Sequence, residues 1–251
     1  MAPSSPPRRQ RLMAAAPVYR RVHRAVFAAC IVLAPLDLSG WFILCPQYGN
    51  PACPTAGDNL VGVLAAFRAA PPSLLQVFLV LTVVLPYLYP FSYIGLGMLA
   101  MNRSPWLATS GIACGVIGSI PWGLVADQMF WLTSMARVGL NPQVALLVRG
   151  YAGSWQVVVI FGGWVIGHLL AYVFLGIALA RARAIPRWAA WLIVASAALM
   201  GPIAYGTHNG YLQILGYMLV FIASIPAARA LVRGVDEEMR EAASAGEATS
   251  R

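Results

Sequence analysis

The chain has 251 residues, of which 60% are hydrophobic and only 10% charged, with a mean hydropathy of +0.72 and a formal net charge of +9. A soluble domain carries about a quarter charged residues and could not hide this much apolar surface, so the composition excludes an ordinary water-soluble enzyme and places the chain in a bilayer. All seventeen positive residues are arginine, and the absence of lysine excludes Schiff-base chemistry such as that of a retinal protein or a lysine aldolase.

In chain order, residues 1–21 form a basic arm rich in Pro and Ser that is expected to be disordered. The apolar run behind it has full spanning length and no small-residue cleavage site, so it is not expected to be a cleaved signal peptide. A spanning helix takes about 20 mostly apolar residues at a rise of about 1.5 Å each. Six stretches qualify: 22–44, 74–101 with Pro86 and Pro90 inside it, 106 to a fading end near Asp127, 155–180, 188–205 and 211–232. Trp106, Trp155, Trp188 and Tyr211 open four of them, as rings that prefer the membrane interface do. The prolines predict kinks in the second span.

The expected fold is an all-α polytopic transmembrane bundle covering residues 22–232, followed by a polar cytoplasmic tail at 233–251. With the N-terminus inside, fourteen arginines fall on the cytoplasmic side and three (Arg68, Arg137 and Arg149) outside, so both termini are cytoplasmic. The same distribution removes nucleic acid as the reason for the positive charge, because the arginines sit at loop ends facing lipid headgroups. Two exterior loops are long. Residues 45–73 contain an amphipathic patch at 59–70, and residues 129–153 contain a candidate interfacial helix ended by Asn141-Pro142.

Cys45 and Cys53 lie close together in the first exterior loop, with turn-forming residues between them, and are candidates for a disulfide. Cys30 and Cys114 fall inside spans and read as small hydrophobes. Neither a Cys-x-x-Cys pair nor zinc-ligand spacing occurs, and the chain lacks a nucleotide loop, a zincin helix, a nucleophile elbow and an aspartate-rich diphosphate motif. No cofactor and no metal is expected. Gly111 with Gly115 and Gly163 with Gly167 are both Gly-x-x-x-Gly, predicting close packing of the third and fourth spans on each other or on neighbours.

Ionisable groups inside spans are candidates for function because a bilayer makes them costly. Asp37 lies in the outer part of the first span, Asp127 at the expected end of the third, His168 near the middle of the fourth, and His208 at the outer turn before the sixth. Each has aromatic company at helical spacing: Trp41 four residues after Asp37, Trp131 four after Asp127, and Trp164, His168 and Tyr172 in one stripe. A carboxylic acid in apolar surroundings can stay neutral and donate a proton, and aromatic faces stabilise a developing cation. Each residue also has a plain structural reading: Asp37 bonded to a neighbouring helix, Asp127 at an interface, His168 as an interhelical donor, His208 exposed in a turn.

The run GHLLAYVFLGIALARARAIPRWAAWLIV, from Gly167 through Pro186-Arg187-Trp188, resembles a pattern common in small, uncharacterised polytopic membrane proteins of bacteria, over roughly the last hundred residues. In size, helix number and aromatic character the chain is also similar to the small integral-membrane terpene cyclases of bacterial secondary metabolism. No diagnostic motif of those enzymes is matched residue by residue, so no catalytic residue is carried over.

These readings give an expected intramembrane enzyme of the bacterial cell membrane that cyclises a lipophilic, prenylated substrate after protonating an alkene or epoxide. Asp37 or Asp127 is the expected acid, and Trp41, Trp131, Trp164, His168, Tyr172 and His208 are the expected substrate-binding residues. A transporter or accessory membrane subunit is the alternative, and a purely structural role the third.

Overall fold

The computed structural model of the chain describes residues 8–45, 60–139, 154–207 and 209–249, together with 143, 146 and 150. Among the described residues there is no strand. The helices are α1 (Arg8–Leu44), α2 (Leu60–Ala69), α3 (Pro72–Ala100), α4 (Pro105–Ser119), α5 (Trp122–Val138), α6 (Trp155–Ala182) and α7 (Arg187–Ala198). A π-helical segment (Leu199–Tyr205) and α8 (Gly210–Thr249) complete the chain. Among the described residues, six spans are long and apolar enough to cross a membrane: Tyr19–Leu44, Pro72–Ala100, Pro105–Val138, Val159–Ala182, Arg187–Ala204 and Gly210–Gly234. The protein is an all-α polytopic membrane bundle. An even number of spans leaves both ends of the bundle on one side, which the arginine distribution makes the cytoplasmic side.

Two sequence expectations change in detail. α1 begins at Arg8, inside the basic arm. The third span does not fade at Asp127, because α5 continues to Val138. The sequence after Asp127 keeps enough apolar positions to bury Met129, Leu132 and Ala136, and the helix stops only at Gly139, whose positive φ of 94° suits a residue without a side chain. The first part of the supposed exterior loop 129–153 is therefore helix, while Asn141 and Pro142 lie outside the described residues. The patch expected at 59–70 forms α2, which turns Val63, Leu64 and Phe67 inward, packs on α5, and sets Phe67 edge-on to Phe78 of α3.

α3 is the central helix, touching α1, α4, α5, α6 and α8, while α1 lies along α8 and α6 lies between α4 and α7. The prolines of α3 shape its contacts. Pro86 has no N–H for the carbonyl of Thr82 one turn earlier, and Trp122 Nε1 of α5 donates to that carbonyl instead, at 3.1 Å. The Thr82 hydroxyl donates to the Phe78 carbonyl and accepts from Trp41 Nε1 of α1, both at 2.8 Å. One proline-relieved turn thus ties three helices together.

Glycines set the closest approach. A Cβ on Gly167 would stand 2.9 Å from the Cys114 carbonyl oxygen and 2.9 Å from Gly118 Cα, so α4 and α6 meet backbone to backbone there. Trp106, Trp155, Trp188 and Tyr211 are exposed at the starts of their spans, in keeping with interfacial rings. On the cytoplasmic side α6 ends at Arg183, left-handed at φ 54°, and Arg103 donates to the free Ala182 carbonyl at 3.3 Å.

Candidate functional site

The close crossing of α4 and α6 fixes the residue that follows Gly167 in the chain, His168, which is 4% exposed in mid-bundle. Among the described residues, five aromatic rings surround its imidazole: Tyr172 at 4.7 Å, Tyr89 at 4.9 Å, Tyr217 at 5.7 Å, and Tyr93 and Trp164 at 5.9 Å between centroids. They come from α3, α6 and α8, and α3 packs on both of the others. Tyr93 sits where it does because Gly115 of α4 has no side chain; a Cβ there would enter the Tyr93 ring. The Tyr93 hydroxyl is hydrogen-bonded to His168 Nδ1. Tyr172 and Tyr89 join hydroxyls at 3.5 Å.

Phenol is the stronger acid of the two neutral partners and the imidazole nitrogen the stronger base. The stable arrangement therefore has Tyr93 donating into Nδ1, which leaves the imidazole hydrogen on Nε2. His168 Nε2 has no hydrogen-bond partner among the described residues.

The aromatic cluster continues toward the exterior. Trp164 meets Trp122 at 5.1 Å, Trp122 meets Trp41 at 5.3 Å, and Trp41 meets Phe78 at 5.4 Å. Phe42 of α1 stacks on Tyr217 at 5.6 Å and meets Trp41 edge-on at 5.0 Å, joining the two ends of the cluster. Two further buried polar atoms border it without a partner among the described residues: Asp37 Oδ2 and Gln213 Oε1. Asp37 is one helical turn before Trp41, and Gln213 one turn before Tyr217, so each shares a helix face with a cluster ring. Gln213 Nε2 donates to the Met200 carbonyl of the π-helical segment at 3.0 Å. Because that carbonyl can only accept, the amide cannot be flipped and Oε1 is the atom left over. An unsatisfied buried polar atom costs about 1–3 kcal/mol, so three of them around one cluster need a reason.

Of the residues expected from sequence, His168, Trp164 and Tyr172 come together directly, and Trp41 joins them through Trp122. Asp37 is buried at 9% exposure on the Trp41 face. Asp127 and Trp131 lie on the exposed side of α5, away from Trp122 and Val125, which that helix buries. His208 and Cys53 lie outside the described residues, and Cys45 is buried just past the end of α1. The neighbour of His208, Asn209, caps α8: its Oδ1 accepts from the backbone N–H groups of Tyr211 and Leu212.

Sequence reasoning missed Tyr89, Tyr93, Trp122, Gln213 and Tyr217. Tyr89 with Tyr93, and Gln213 with Tyr217, have the same four-residue spacing that singled out Trp164, His168 and Tyr172. The signal was present, but without a titrating partner on the same helix it was indistinguishable from packing.

Comparison with known proteins finds no matching family model, no matching curated protein and no matching solved structure.

Proposed function

We propose that the protein is an integral membrane enzyme of the bacterial cell membrane that acts on a lipophilic, prenylated substrate by acid-initiated cyclisation, similar in kind to the membrane terpene cyclases. The observation that carries this reading is the aromatic cluster around His168, bordered by buried polar atoms that lack partners. A cluster of rings in the middle of a bilayer offers an isoprenoid chain an apolar wall and offers a carbocation several π faces.

Asp37 is the proposed acid, preferred over Asp127 because it is buried on the aromatic side of its helix whereas Asp127 is exposed. Its carboxyl proton forms a new C–H bond at one alkene carbon and leaves a cation at the other. A second alkene attacks that cation to close a ring. Loss of a proton from the adjacent carbon to the Asp37 carboxylate restores the acid and gives a product isomeric with the substrate. Trp41, Trp164 and Tyr172, with Tyr89 and Tyr217, supply the cation-stabilising faces.

Positioned general acid–base catalysis typically contributes about 10²–10⁴-fold. Asp37→Asn is expected to lower the cyclisation rate by that order while the variant elutes and melts like the parent. Unchanged product formation in both Asp37→Asn and Asp127→Asn would remove the assignment.

A transporter or accessory subunit that binds without chemistry is the second reading. The broken helices favour it: the π-helical segment with Pro202, and the prolines of α3, are the irregularities that membrane proteins place at moving or ligand-binding positions.

A further inference from the structure

The orphaned atoms specify more than an apolar ligand. With Tyr93 assigned as the donor to Nδ1, His168 Nε2 carries a hydrogen with no partner among the described residues to receive it, and Gln213 Oε1 has lone pairs with none to donate to them. The two residues are each 4% exposed, His168 on α6 and Gln213 on α8, and Tyr217 links them: its ring is 5.7 Å from the imidazole and Gln213 is one turn before it on the same face of α8. One orphan is a donor and the other an acceptor.

A carbonyl or ether oxygen would satisfy only the first, and a hydrocarbon neither. A hydroxyl satisfies both, because its oxygen accepts while its hydrogen donates. We propose that His168 and Gln213 form a recognition site for the free hydroxyl of a lipophilic alcohol or phenol, whose apolar body lies among Trp164, Tyr89, Tyr172 and Tyr217. The inference rests on the reading of a lipophilic ligand in this cluster and adds the polar group which that ligand carries. The roles divide cleanly: His168 donates to the hydroxyl oxygen, Gln213 takes its hydrogen, and Tyr93 holds the imidazole in the required tautomer from behind.

The test is equilibrium binding of tritiated farnesol to the purified full-length protein in lipid nanodiscs, with binding to empty nanodiscs subtracted and farnesyl methyl ether as competitor. The ether keeps the accepting oxygen and loses the donated hydrogen, so it should compete about tenfold more weakly than unlabelled farnesol, the effect of one buried hydrogen bond. Gln213→Leu should bind both compounds alike, and His168→Phe should weaken both while keeping the preference for the alcohol. Equal competition by the ether in the wild-type protein overturns the proposal, and that comparison needs no variant to fold. So does a preference that survives Gln213→Leu, or farnesol binding no greater than that of empty nanodiscs. Hydroxyl-selective binding without any cyclised product would contradict the enzymatic reading and leave this site standing. Product formation with equal binding of alcohol and ether would do the reverse.

Discussion

At the scale of single residues, the carbonyl of Thr82 shows how a helix defect becomes a tether. Pro86 withholds the N–H that would have met it, and Trp122 reaches across from α5 to supply one. Trp122→Phe should therefore destabilise the protein by about 1–3 kcal/mol, the range for a buried polar group left unpaired. In a Pro86→Ala background the new backbone N–H can take over the same carbonyl, so the cost of Trp122→Phe should shrink. A double-mutant cycle on detergent-solubilised protein should give a coupling of at least about 0.5 kcal/mol, and strict additivity would show that Trp122 holds its place by packing alone. Neither partner could have been paired from sequence. Pro86 announces a free carbonyl four residues earlier, but which of the eight tryptophans answers it depends on how α5 lies against α3.

At the scale of elements, apolar length made the spans legible: a run of about 20 residues without charge has few fates other than crossing the bilayer. The end of the third was misplaced because Asp127 looked like a boundary. It is one exposed residue on a helix whose other face stays buried to Ala136. The glycine motifs pointed to the right pair of helices and only partly to the right glycines. Gly118 and Gly167 make the backbone contact, whereas a Cβ on Gly163 meets nothing within 4 Å. Motif spacing fixes which glycines share a face, while contact depends on where the axes cross. Gly167→Ala should cost about 1–3 kcal/mol through overpacking against Cys114 and Gly118, and should shift His168 with it. Gly163→Ala should be neutral or stabilising by up to about 1 kcal/mol, because alanine is the better helix former and has room. Thermal unfolding of the two variants in one detergent checks both signs, and equal melting temperatures would mean that the α4–α6 crossing is looser than the structure has it.

At the scale of the whole molecule, three helices meet at a histidine, and the polar atoms left over there are the feature that packing alone does not explain. His168, Trp164 and Tyr172 were legible because they share one helix face; Tyr89, Tyr93, Gln213 and Tyr217 were not, because only the tertiary fold brings α3 and α8 to α6. The proposed chemistry has a consequence that substrate binding cannot imitate. In the proposed cyclisation a proton from Asp37 would become a carbon-bound hydrogen of the product, and the restored acid would equilibrate with solvent. The most direct measurement is incubation of membranes containing the protein with prenylated polyenes in D₂O, followed by mass and retention analysis. The account predicts a product of altered retention that is isomeric with the substrate and carries one non-exchangeable deuteron, absent from membranes with Asp37→Asn. Recovery of only the starting polyene, or a product without carbon-bound deuterium, would contradict it.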